Sequence, residues 1–228
     1  SDRTRMIILN SPSNPTGGVM PVSALEHIAA VARDRDIWVL SDEIYTRIAY
    51  DGLQVPSIVT LPGMAERTVI CDGFSKTYAM TGWRLGYGIM PEALAERVGL
   101  LLTHSIGCTA SFTQVAGIEA LHGPQDQVDA VVAEYQRRRN MLVAGLNRIP
   151  GWRCRMPQGA FYVFPNITAT DKSSAWWEDF LLDQAGVGVL SGAAFGANGE
   201  GYLRLCFADS MENLSEAVDR IADAVARL

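Results

Sequence analysis

The sequence predicts an α/β protein: a mixed, mostly parallel sheet in a first domain, followed by a smaller α+β domain. Three observations carry that expectation. Short, wholly apolar runs end in turn-rich loops, helix-length segments separate them, and the texture changes after Pro150-Gly151. Apolar strands spaced by helices are the pattern of a sheet covered on both faces.

Arg5-Met6-Ile7-Ile8-Leu9 reads as a buried strand closed by a loop from Asn10 to Gly18 that is rich in Ser, Asn, Pro and Gly. Residues 23–35 place Leu25, Ile28, Ala29 and Ala32 at helical spacing. Ile37-Trp38-Val39-Leu40 is a second buried strand, closed by Ser41-Asp42-Glu43, and Thr68-Val69-Ile70-Cys71 is a third. The run from Leu85 to Met90 follows too closely for a parallel crossover, which needs about ten or more residues, so it is expected antiparallel. Helices are expected over 92–102, 112–122 and 125–147, the last with Val128, Val131, Val132, Tyr135, Leu142, Val143 and Leu146 at core spacing. Beyond Gly151, strands at 159–164, 187–190 and 202–207 alternate with helices at 174–184 and 211–228. The expected organisation is a large domain over 1–124, a connecting helix over 125–148 and a small domain over 149–228.

Composition narrows the function classes. The 228 residues are 48% hydrophobic and 19% charged, as in soluble globular chains, and no apolar stretch approaches membrane-spanning length. A net charge of −6 argues against a nucleic-acid surface, which needs a basic stripe. The only basic run, Arg137-Arg138-Arg139, is expected to be a solvated helix face. Cys71, Cys108, Cys154 and Cys206 are widely spaced and accompany no histidine cluster, which fits free thiols in a reducing cytoplasm and no metal site.

The chain has seventeen arginines and two lysines, Lys76 and Lys172. A guanidinium stays protonated, whereas a lysine amine can lose its proton and attack a carbonyl. Lys76 directly follows the third strand and precedes Arg84 by eight residues, which points to an imine-forming lysine beside an anion site. Ligands of open α/β sheets collect outside the carboxyl ends of the strands. Asn14, Asp42, Ser75 and Lys76 all follow strands there, and Arg84 opens the antiparallel strand from the same edge. If Asp42 to Tyr45 forms a helical turn, their side chains share a face. Pyridoxal phosphate needs such a set: a lysine for the imine, a carboxylate at the ring nitrogen, donors at the phenolic oxygen and cations at the phosphate.

Asn-Pro-Thr-Gly (residues 14–17), Ser-Asp-Glu-Ile-Tyr (41–45), Ser-Lys-Thr-Tyr-Ala-Met-Thr-Gly-Trp-Arg-Leu-Gly-Tyr (75–87), Pro-Gln-Gly-Ala-Phe-Tyr (157–162) and Tyr-Leu-Arg-Leu-Cys-Phe-Ala (202–208) occur in this order. Together they resemble the class I/II aminotransferases of pyridoxal-phosphate (PLP) fold type I. The resemblance implies an aminotransferase moving an amino group between an L-amino acid and a 2-oxo acid, as a homodimer. It implies that Lys76 binds the cofactor and shuttles the proton, that Asp42 pairs with the pyridinium nitrogen, and that Asn14 and Tyr45 bond the phenolic oxygen. Ser75 and Arg84 then hold the phosphate. Arg204, with Asn14, takes the substrate α-carboxylate. Gly192, in Ser-Gly-x-x-Phe-Gly, belongs either to a loop facing the site or to a plain turn.

The lysine motif is shared with C–S lyases and ACC synthases, and with the aminotransferase-like domain of PLP-sensing transcription regulators. The Met-Thr-Gly-Trp-Arg wording leans toward transaminases, and retention of every catalytic residue, Arg204 included, favours an enzyme over a regulator. Between Arg97 and Arg137 there is no Arg or Lys, so one device of aspartate-specific relatives, an extra arginine beyond the lysine, is absent. The chain starts at Ser1 and enters a strand within a few residues, whereas family members place a long segment ahead of Asn-Pro-Thr-Gly. The resemblance therefore implies a C-terminal portion, with weak PLP binding expected of this chain alone.

Overall fold

The computed structural model describes all residues from Ser1 to Leu228. The chain divides into two compact units. The first comprises residues 1–12 and 19–129; the second comprises 13–18 and 130–228.

The first unit is built on a four-stranded sheet of β1 (Met6–Asn10), β2 (Trp38–Asp42), β3 (Thr68–Gly73) and β4 (Gly86–Ile89), in that order. β1, β2 and β3 pair in parallel, and β4 is antiparallel to β3, as its short connection requires. Helix α1 (Val22–Asp34) buries Leu25, Ala29 and Ala32, one stripe at i, i+4 and i+7. That stripe joins Leu9, Val39, Ile58 and Met64 in a core on one side of the sheet.

The strands are less covered than their apolar runs imply. In β1 only Leu9 is buried, and Ile8 is 71% exposed. β1 and β4 are the edges of the sheet, and Tyr87 and Ile89 of β4 are exposed as well. Helices α2 (Glu92–Ser105) and α3 (Ser111–His122) follow; α2 buries no residue, and Leu100, Leu101, Phe112, Val115 and Ile118 are open.

Helix α4 (Asp126–Leu146) begins in the first unit and continues into the second. In the second unit a three-stranded antiparallel sheet has the order β5 (Tyr162–Val163), β7 (Leu203–Cys206), β6 (Leu190–Ser191). Helix α5 (Ser174–Ala185) is capped by the Ser173 hydroxyl, which accepts from Trp176 N, and ends at Gly186 in the left-handed region. Helix α6 (Met211–Val225) is capped by Ser210 and buries Leu214, Ile221 and Ala224. Trp152 and Trp177 meet edge to face at 5.6 Å within the core.

The three arginines of α4 do not form a solvated face. Arg139 is 2% exposed and donates to the Pro157 carbonyl at 3.0 Å, whereas Arg137 points to solvent. Successive helical residues are turned by about 100°, so a run of three cannot share one face. Val131, expected at core spacing with Val128, is open while Val128 is buried.

Residues 13–18 belong to the second unit for a local reason. Gln158 N and Gly159 N both donate to the Gly17 carbonyl, at 2.8 and 2.9 Å. Gly17 has φ +65°, and a Cβ there would collide with Pro157 Cβ. Gly17→Ala should therefore add overpacking to left-handed strain, lowering stability by roughly 2–4 kcal/mol. Gly52, at φ +71° with open space around it, should lose only about 1 kcal/mol on the same change. Chemical denaturation followed by fluorescence measures both, and equal losses would contradict the close contact.

Candidate active site

In the first unit, the parallel register levels Asn10, Asp42 and Cys71 across three strands. Asn10 Nδ2 then donates to Asp42 Oδ2 at 3.1 Å, and Ile44 N lies 3.3 Å from Asp42 Oδ1. Both oxygens of this half-buried carboxylate are thereby oriented. Asp42 is the last residue of β2, and no helix follows it. The chain instead makes tight turns, with Thr46 N donating to the Glu43 carbonyl and Ile48 N to the Tyr45 carbonyl, and Tyr45 is 4% exposed. The expected helical turn is absent; Glu43 stays paired with the sheet, its N–H donating to the Cys71 carbonyl at 2.9 Å.

Burial and the neighbouring Asp42 charge push the Cys71 thiol up. Burial likewise raises the Asp72 carboxyl, which accepts from Tyr87 OH at 3.0 Å.

The antiparallel ladder of β3 and β4 runs to Gly73 opposite Gly86, and Phe74 N extends it by donating to the Leu85 carbonyl at 3.2 Å. Ser75 and Arg84 thus leave the ladder at the same end, with Lys76 next to Ser75. That end is the carboxyl edge at which β1 and β2 finish. Ser75 and Lys76 are half-buried and Arg84 is exposed. Arg84 lies two residues before the strand it was expected to open, in the left-handed region at φ 54°, with Nη1 donating to the Thr81 carbonyl at 2.9 Å. A cavity of about 690 Å³ opens beside it, lined also by Trp83, Ile106, Cys108 and Phe112, but not by Asp42, Tyr45, Ser75 or Lys76. No group of three His, Cys, Asp or Glu side chains stands where it could hold a metal ion.

The remaining expected residues, Asn14 and Arg204, meet within the second unit: Arg204 Nη1 donates to Asn14 Oδ1 at 3.0 Å. Strand periodicity puts Leu203 and Leu205 of β7 into the core and Arg204 on the other face. The guanidinium carbon lies 4.6 Å from the Tyr162 ring centroid and 5.0 Å from that of Phe195. Arg204 Nε is buried and has no partner. Gly192 opens a 3₁₀ turn ending at Phe195, and its backbone packs so closely on Gly199 that a Cβ would collide with the Gly199 carbonyl oxygen.

Sequence reasoning missed Asn10, because its significance lies in the register of two strands rather than in a motif. It also gave no role to Tyr162 or Phe195, although both lie in motifs that it quoted. The alternation of β7 together with Tyr162 on the adjacent strand was the available signal for the first.

Residues 1–221 match the family described as aminotransferase class I and II. The chain is 43% identical over 228 residues to an aspartate aminotransferase of Pyrococcus horikoshii, covering 99% of this chain and 58% of that protein. It is 42% identical to aromatic-amino-acid aminotransferase 2 of Thermococcus litoralis, covering 96% of this chain and 57% of the relative. The crystal structure of an aromatic aminotransferase from P. horikoshii superposes with a TM-score of 0.96 at 40% identity, covering 100% of this chain and 61% of that one. The chain belongs to the class I and II aminotransferase family. It spans 57–58% of the length of these curated relatives.

Burial pushes the Cys154 thiol up to about 12. At about pH 8 a thiol reagent should modify the exposed Cys108 and Cys206 in the native chain and reach Cys154 only after unfolding. Prompt reaction of Cys154 in the folded chain would contradict its burial.

Proposed function

We propose that this chain carries the reaction centre of a PLP-dependent aminotransferase that moves an amino group between an L-amino acid and a 2-oxo acid. The observation that carries the reading is the donor set at one sheet edge: the Lys76 amine, the oriented Asp42 carboxylate, the Ser75 hydroxyl and the Arg84 guanidinium. Those groups match a phosphorylated pyridine aldehyde in charge and chemistry. The names of the relatives, which include aspartate, aromatic and arginine–pyruvate enzymes, favour transamination over elimination.

When bound, PLP supplies an aldehyde for the amine and an electron-poor ring. In this reading Lys76 Nζ would hold the cofactor and would serve as the base that takes the proton from the substrate α-carbon. Asp42 keeps a proton on the ring nitrogen, and Asn10 keeps the carboxylate turned towards that task. Tyr45 and Asn14 donate to the phenolic oxygen. Ser75 and Arg84 bind the phosphate through charge-assisted hydrogen bonds, about twice as strong as neutral ones.

Arg204 takes the substrate α-carboxylate. With Nη1 committed to Asn14, the unpartnered Nε and the neighbouring Nη2 remain as a parallel pair of donors, the geometry a carboxylate accepts. A homodimer and a reducing cytoplasmic setting complete the proposal. The open apolar positions of α2 and α3 and four cysteines that form no disulfide support these.

Two outcomes test the reading in the protein as the gene encodes it. Borohydride treatment of the PLP-loaded protein should fix the cofactor on the peptide containing Lys76; recovery on Lys172 would overturn the assignment. Asp42→Ala should lower kcat by about two orders of magnitude or more, roughly 3 kcal/mol of lost transition-state stabilisation. Near-normal turnover would remove Asp42 from the mechanism.

A further inference from the structure

Arg204 is surrounded by more than its hydrogen-bond partner. The Tyr162 and Phe195 rings both lie within reach of its guanidinium, at 4.6 and 5.0 Å. Cations are drawn to aromatic faces at such distances. Tyr162 is fixed, since it is buried and paired with Cys206 in the sheet. Phe195 is different. It is 38% exposed and sits on the loop from Ser191 to Glu200, so core packing does not account for it.

That loop is fastened at both ends to the start of α5. Ser174 Oγ lies 2.7 Å from Ser191 Oγ at the entry and donates to Glu200 Oε2 at 2.6 Å at the exit. Ser174 N also donates to Glu200 Oε1 at 2.8 Å, and Ser191 N to Glu178 Oε2 at 2.9 Å. The bonds from Ser174 hold the Glu200 carboxyl below its usual range. Between these anchors the Gly192 and Gly199 backbones touch, which closes the loop. The Phe195 ring is backed by Phe164, edge to face at 6.4 Å, and Phe164 stacks on Tyr202 at 5.0 Å.

We propose that Phe195 is a positioning residue. Held by the loop stapled to α5, it clamps the Arg204 guanidinium against Tyr162, so that the free edge is presented in a fixed orientation to the α-carboxylate of amino acid and oxo acid. The proposal rests on the reading of Arg204 as the carboxylate-binding residue. A planar cation on a long side chain loses rotamer freedom when it binds. The clamp removes that freedom beforehand. Because every substrate carries the same α-carboxylate, the clamp acts equally on all of them. It contributes to binding more than to the chemical step.

The test compares Phe195→Leu, Phe195→Met and Phe195→Tyr with Arg204→Lys in the PLP-loaded protein as the gene encodes it. L-Aspartate, L-phenylalanine and L-alanine serve as donors and 2-oxoglutarate as acceptor. Phe195→Leu and Phe195→Met keep apolar bulk without a ring face. They should raise KM for every substrate turned over by a common factor of about three to thirty, with kcat within about threefold. Phe195→Tyr should restore KM to within about twofold.

Wild-type KM values in both aliphatic variants would overturn the clamp. A KM change confined to L-phenylalanine would also overturn it, by assigning Phe195 to the substrate side chain. If Arg204→Lys leaves every KM unchanged, the reading of Arg204 fails and the clamp fails with it. If Arg204→Lys raises KM and the Phe195 variants do not, only the clamp is lost.

Discussion

Parallel pairing brings the last residues of β1 and β2 level, and the Asn10 amide then reaches the Asp42 carboxylate across 3.1 Å. Much else in the first unit depends on this register. A slip of one residue in β2 would turn Asp42 to the opposite face and put Val39 where the core cannot receive it. The same ladder carries through Cys71, and two residues further β3 releases Phe74, Ser75 and Lys76 into the loop beyond the edge. β4 returns from that loop, so Ser75 and Arg84 lie just beyond the same end of the ladder. The position of each polar group is thus a consequence of where apolar strands stop.

The second unit uses the other periodic rule of sheets. Alternation along β7 sinks Leu203 and Leu205 and leaves Arg204 on the open face, where Asn14 and two aromatic rings meet it. Asn14 arrives there because the Gly17 carbonyl accepts from Gln158 N and Gly159 N. A short loop between β1 and α1 therefore travels with residues far along the sequence. The proposed catalytic groups and the proposed carboxylate grip are accordingly built by separate cores.

The sequence made the order and type of the elements legible because they rest on apolar periodicity, which is local. It made Lys76, Asp42 and Arg84 conspicuous because their chemistry is unusual and their places follow strand ends. What it left hidden depends on three-dimensional neighbours. Ile8 looks like core and is exposed because alternation along β1 turns it away from the core that receives Leu9. Arg139 looks like surface and is buried because the Pro157 carbonyl accepts from it. Asn10, Phe195 and Glu200 carry no signal of their own; each acquires a role only when register or loop closure brings its partner near.

On this reading these residues serve amino-group transfer and not elimination. The most direct measurement mixes PLP-loaded protein with an amino acid it accepts, with no oxo acid present, and counts products. Transamination should stop after about one equivalent of 2-oxo acid per site, release no ammonia, and resume when an acceptor oxo acid is added, as a double-displacement reaction does. Continuous release of ammonia without an acceptor would contradict the account.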